Sequence, residues 1–179
     1  MFINYQNDYC NMAKIDSCTL IYLTKTDLLA LARKVYSELR ITNSVYEEVV
    51  TKGKKGGHAD AYVIESEIEK KKIKLIHSDI EIPTRLVSLQ KGDAETIVEA
   101  KNENTIALLD DIKSKILAEN MGVKYTSIDL VLIESLLRGI INYDDFEKLA
   151  SRVNKICGMR PDRYAELLYL GKIIHEVKK

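Results

Sequence analysis

The chain has 179 residues, 46% of them hydrophobic and 30% charged, with 27 lysines and arginines balanced by 27 aspartates and glutamates. That mix predicts a globular chain able to bury a core, and zero net charge excludes a polyanion binder that works by overall charge, so any nucleic-acid contact needs a local patch. No apolar run approaches the roughly 18–20 residues that span a bilayer, and three scattered cysteines (Cys10, Cys18, Cys157) without a CxxC predict reduced thiols in the cytoplasm rather than a disulfide framework or zinc site.

Residues 1–11 are polar, lack the charged and apolar regions of a signal peptide, and read as a flexible extension before one domain over 12–179. Met12–Ile15 reads as a short strand ending at Asp16, and Ser17–Leu23 as helix. Thr26-Asp27 is expected to cap a second helix through LLALARKVY. Leu39–Thr42 is the next strand, Ser44–Lys52 a helix, Gly53–Gly57 a basic glycine-rich loop and Ala59–Lys70 a helix. Ile73–Ile76 follows as strand, Asp93–Lys101 as helix and Thr105–Leu109 as the clearest buried strand. Ile112–Glu119 is helix stopped by Gly122, and Val123–Tyr125 a last strand. Beyond Ser127 the chain reads as helices broken near Gly139 and at Gly158, with Pro161 in the first turn of the last. Strands alternating with helices predict a three-layer α/β/α fold around a central, mostly parallel sheet.

Acidic residues recur at the handovers: Asp16 in AKIDS, Glu47-Glu48 in SVYEEVV, Asp93 in QKGDAET and Asp110-Asp111 in IALLDDIK. Parallel α/β sheets gather ligands at the carboxyl ends of their strands, where Asp16 and Asp110 fall. Each has two readings, a cap on the following helix or part of a carboxylate site, since crowded carboxylates repel unless a cation joins them. Asp111, one residue nearer its helix, is the better cap. Ser44-Val45-Tyr46-Glu47 fits a capping box that occupies Glu47 and leaves Glu48 for the site. Asp93 is either a dipole-favoured acid at a helix start or a site residue beside the stripe Ala94, Ile97, Val98 and Ala100. Glu95 and Glu99 are expected on the opposite, solvated face. An all-carboxylate set, with His58, His77 and His175 scattered, suits Mg²⁺ or Mn²⁺ rather than zinc.

In this order the segments resemble PIN-domain metal-dependent nucleases. AKIDSCTLIYL looks like their opening strand and helix, and Val45-Tyr46-Glu47-Glu48 is similar to their V-x-x-E motif. KGDAETIVEAK resembles the G-E-A-E-A-I helix of one subgroup, with Asp93 where glutamate is usual. IALLDDIKSKILAENMGVK resembles that subgroup's L-L-I-D-D-x-x-A-R-x-x-A, with Lys115 in the arginine position. YTSIDLVLIESLLRGII resembles its closing G-T-x-x-x-L-L-x-x-x-x-x-G-x-I, although Tyr125-Thr126-Ser127 stand where small residues are commoner. The resemblance implies a catalytic and metal-holding quartet of Asp16, Glu48, Asp93 and Asp110, supported by Asp111 and Ser127, that hydrolyses RNA with Mg²⁺ or Mn²⁺. It also implies homodimers and, for small single-domain relatives, either ribonuclease toxins paired with an antitoxin or a role in RNA processing. Asp129 reads more simply as an N-terminal helix acid.

Lys52, Lys54 and Lys55 form a cationic stretch just after Glu48, suited to phosphate contacts or else simply solvated. The run Lys70-Lys71-Lys72-Ile73-Lys74 reads as a solvated face. Leucine stripes such as Leu130, Ile133, Leu136 and Leu137 read as core or self-association surface. A receiver domain would place its acid pair early, and a haloacid-dehalogenase-type phosphatase needs D-x-D, which Asp16-Ser17-Cys18 does not supply. The competing reading is a non-catalytic PIN-like module that binds RNA or protein.

Overall fold

The computed structural model describes residues 12–178; the expected extension over 1–11, with Cys10, lies outside the described residues. Strands β1 (Met12–Ile15), β2 (Glu38–Thr42), β3 (Lys74–Ile76), β4 (Ile106–Leu108) and β5 (Tyr125–Thr126) form one sheet in the order β3-β2-β1-β4-β5. Every neighbouring pair is parallel, with Ala13 opposite Leu39 on one side and Ile106 on the other. The expected three-layer α/β/α architecture forms around it. No helix of the described residues is long and apolar enough to cross a membrane.

Alternation along the strands assigns the two faces. Ala13, Ile15, Leu39, Ile41 and Leu108 point into a cluster built with α1 (Ser17–Lys25), α2 (Leu29–Val35), α8 (Ile128–Leu137) and α9 (Tyr143–Cys157). Ala107 and Leu109 point the other way, against α6 (Lys91–Asn102) and α7 (Ile112–Asn120). Lys14 lies between Ala13 and Ile15, is 1% exposed, and reaches Glu103 Oε1 at 2.7 Å. A buried ammonium persists only when it is paired in this way.

Helix boundaries follow local chemistry. The Asn142 side chain accepts from the Asp145 N–H to start α9, and Gly158 ends it in the left-handed region at φ 63°. Pro161 opens α10 (Pro161–Val177), where its missing N–H costs nothing. Other expectations fail. Thr26 and Asp27 do not cap α2: the Thr26 hydroxyl donates back to the Tyr22 carbonyl at 2.7 Å, and Asp27 turns the chain at φ 60°. The Gly53–Gly57 loop is largely helix. The segment runs unbroken through α3 (Asn43–Tyr46), a π-helical stretch over Glu47–Lys52 and α4 (Gly53–Lys55). Gly53 serves packing here, because a Cβ on it would lie 2.9 Å from the Ala61 Cβ of α5 (Ala59–Glu69).

Helices α9 and α10 meet through a similar close approach. Phe146 is fully buried, and a Cβ on Gly171 would fall 2.1 Å from its Cε1. Gly171→Ala should therefore destabilise the protein by about 1–3 kcal/mol, lowering the thermal midpoint by roughly 2–4 °C per kcal/mol. An unchanged melting curve would contradict this packing.

Candidate functional site

The strand order makes β1 a switch point. The chain leaves β1 for β2 and β3 on one side and returns to β4 on the other. At such a point the connections after the two central strands diverge and leave a crevice at their carboxyl ends. The residue after β1 is Asp16, whose N–H still bonds the Leu108 carbonyl of β4 at 3.2 Å. Asp16 has no exposed surface. One carboxylate oxygen caps α1, accepting from the Thr19 N–H at 2.7 Å, while the other, Oδ2, is buried without a hydrogen-bond partner.

Asp110 lies two residues past β4. Its Oδ1 accepts from the Ile128 N–H at the start of α8 at 3.3 Å and lies 3.8 Å from Lys115 Nζ; its Oδ2 is buried and unpartnered. Asp93 enters from the first turn of α6, half-buried, with an unpartnered Oδ1, and the Ser17 backbone favours its charged form. Glu48 comes from the π-helical stretch, and its Oε2 accepts from Ser17 Oγ at 2.7 Å. Gln90 closes over it: with the amide turned so that both its atoms are satisfied, its nitrogen donates to Glu48 Oε2 at 2.9 Å.

Electrostatics ties the acids together. Burial pushes Asp16 up to about 8, and the charges of Asp93 and Asp110 push the same way against the bond from Thr19. Burial also lifts Asp93 to about 6, reinforced by Glu48 and Asp111. Asp110 rises to about 6 through burial, opposed by Lys115 and reinforced by Asp129. Cys18, burdened by burial and then by Asp16 and Asp110, is pushed up to about 12 and stays a protonated thiol, neither nucleophile nor soft ligand.

Among the described residues, no three Asp, Glu, His or Cys side chains are drawn in closely enough to hold a metal ion as they stand. The oxygens nonetheless fit one. Asp16 Oδ2, Asp93 Oδ1 and Asp110 Oδ2 are buried without partners, a costly condition that a hard divalent cation relieves because it takes oxygen ligands.

The supporting residues fall differently. Asp111 faces solvent and caps α7, accepting from the Ser114 N–H at 2.8 Å. The Ser127 hydroxyl donates to Asp129 rather than to any of the four acids. Asp129 is no plain helix-start acid: it is 6% exposed and paired with Arg163 of α10 at 2.6 Å. Glu95, expected in solvent, is 1% exposed and accepts from Ser44 Oγ at 2.8 Å. That bond takes Ser44 out of the capping box. Thr42 caps the helix instead, accepting from the Val45 N–H at 3.3 Å, and Glu47 is exposed. Lys54 is half-buried, engaged by Glu65, and lies 5.2 Å from the centre of the Tyr62 ring, whereas Lys52 and Lys55 are exposed. Gln90 and Arg163 carried no sequence signal. The clue to Asp129 is an acid just ahead of the apolar run Leu130–Ile133.

Comparison with known proteins adds a family. A family model described as a PIN domain matches residues 12–170. No curated protein matches. A solved domain of a functionally unknown protein from Methanocaldococcus jannaschii is similar at 24% identity and a TM-score of 0.45, over 65% of this chain and 90% of that one.

The raised carboxyls set a direction for stability. Asp16, Asp93 and Asp110 hold protons in the folded protein at pH values where the unfolded chain has lost them. Their contribution is complete below the ordinary carboxylate range and is lost as pH climbs through about 6 and then about 8. In chelator, the thermal midpoint should fall by on the order of several °C between pH 5.5 and 8.5. Asp16→Asn, which keeps a capping side chain, should flatten that fall; an equally steep profile in the variant would rule out Asp16 as its source.

Proposed function

We propose that this chain, a member of the PIN-domain family, is a metal-dependent ribonuclease that hydrolyses RNA phosphodiester bonds. Family membership supports a nuclease-type function, and one observation of the site carries the finer reading. Asp16, Asp93 and Asp110 each keep one buried carboxylate oxygen without a hydrogen-bond partner, and the charges of Asp93 and Asp110 both bear on Asp16. Glu48 completes the quartet through its bond to Ser17. Mg²⁺ or Mn²⁺ held by Asp16, Glu48, Asp93 and Asp110 would supply an activated water and stabilise the charge developing on the phosphate.

The chain's own residues do the rest. Thr19 and Ile128 fix one oxygen each of Asp16 and Asp110 through their backbone N–H groups, leaving the second oxygen of each without a hydrogen-bond partner. Lys115 offsets the charge of Asp110. Asp111 and Ser127 act at one remove, setting the start of α7 and fixing Asp129. Lys52, Lys54 and Lys55 follow Glu48 in the chain and are proposed to contact the RNA backbone, which positions a strand without reading its bases. The role we propose is that of a cytoplasmic toxin held by an antitoxin partner, acting as a homodimer. The alternative, a non-catalytic module that binds RNA or protein, is favoured by one observation: no three side chains close on a common point among the described residues. A tight Mn²⁺ site abolished by Asp16→Asn separates the two.

RNA cleavage by the purified protein should require Mg²⁺ or Mn²⁺ and fall at least about 100-fold in Asp16→Asn and Asp110→Asn, since each removes charge that the ion needs. Absence of metal-dependent cleavage from every RNA tried, with unaltered metal binding in Asp16→Asn, would overturn the reading. RNA affinity should also depend on salt. Lys52→Ala and Lys55→Ala should each flatten the slope of log K against log salt by about 0.7, the value for one phosphate of a single strand left without its lysine. Lys54→Ala should change it less, because its ammonium is already held by Glu65.

A further inference from the structure

Two acids of the quartet come from helices rather than from the ends of strands. Glu48 sits on the π-helical stretch and Asp93 on the first turn of α6. Glutamate has three side-chain torsions, so a half-buried carboxylate left to itself spreads over several positions, and ordering it costs free energy. Ser17 bridges the two. It is 4% exposed, directly follows Asp16, and stands at the first position of α1. Its hydroxyl donates to Glu48 Oε2 at 2.7 Å, and its backbone N–H acts on the Asp93 carboxylate, favouring the charged form against burial. Gln90, the residue before α6, is exposed, and with its amide turned its nitrogen donates to both oxygens of Glu48.

We propose that Ser17 and Gln90 are positioning residues that clamp Glu48 through both of its carboxylate oxygens and, through Ser17, couple it to Asp93 as one rigid wall of the site. The inference rests on the metal-dependent reading above. A carboxylate has about four acceptor positions, so the two donors leave lone pairs for a cation. Because Ser17 also connects Asp16 to the clamp along the backbone, the sheet's rigidity passes to two acids the sheet does not carry. Groups that orient metal-holding carboxylates in this manner change metal affinity or activity by about 10–100-fold when removed.

The test is Mn²⁺ binding, followed by the electron paramagnetic resonance of the free ion, in wild type, Ser17→Ala, Gln90→Ala and Glu48→Gln. Ser17→Ala keeps the N–H that serves Asp93 and places a good helix former in α1. Gln90→Ala changes an exposed side chain, so the fold is not at stake. Each should weaken Mn²⁺ binding about tenfold and shift the thermal midpoint in chelator by no more than about 2 °C. On a Glu48→Gln background both effects should shrink to less than about twofold, which a merely structural role would not produce. Mn²⁺ affinity within twofold of wild type in both variants, or full losses that persist on that background, would overturn the clamp. A thermal double-mutant cycle in chelator between Ser17→Ala and Glu48→Gln separates this inference from its premise. Coupling upholds the clamp and its absence overturns it; a wild type that binds no Mn²⁺ while the cycle couples overturns the nuclease reading alone.

Discussion

Carboxylates crowded into one buried crevice are the constraint on which the rest of this structure turns. Asp16 is wholly enclosed, Asp93 and Asp110 flank it closely enough to raise its pKa, and Glu48 presses in turn on Asp93. A fold gains nothing from such an arrangement on its own account. Unpaired buried charge costs free energy, and each of these acids could be replaced by an asparagine or glutamine that caps or packs as well. Strain of this kind, concentrated at a sheet switch point, is a mark of function.

The surrounding scaffold makes the crowding tolerable. Backbone N–H groups at helix starts take one oxygen of Asp16 and one of Asp110, so each is half satisfied before any cation arrives. Lys115 offsets Asp110 from within α7, and Arg163 pairs with Asp129, whose charge also bears on Asp110. At the opposite end of the sheet charge is treated differently. Glu103 takes both Lys14 and Arg40, and Glu38 takes Arg40 and Lys74. Carboxylates there meet lysines and arginines of the protein itself, whereas those of the crevice are left short of positive charge.

Much of this is legible in the residues alone, because strand ends and helix caps are local. The strands at Met12–Ile15 and Thr105–Leu109 and the cap at Asp111 depend on neighbours a few positions away, and they form as expected, the second trimmed to Ile106–Leu108. Tertiary context decides the rest. Glu95 belongs in solvent only if α6 buries a single stripe, yet the helix is enclosed on nearly every side between the sheet, α3 and α7. The capping box at Ser44 fails because Thr42 begins the helix two residues earlier, and Ser44 turns to Glu95 instead. Glu48 still reaches the crevice, through a π-helical stretch that no residue pattern announces. Such stretches occur often at functional sites. Arg163 meets Asp129 across 34 positions of chain, a pairing that only the packing of α10 on α8 creates.

Proton release on metal binding tests the central claim most directly. Carboxyls that hold protons for want of a cation must give them up when one binds. With Mn²⁺ titrated into weakly buffered protein at pH 7, the account predicts that each binding event releases on the order of one proton, and that Asp16→Asn removes most of that release. Mn²⁺ binding without proton release, or the same release from Asp16→Asn, would contradict it.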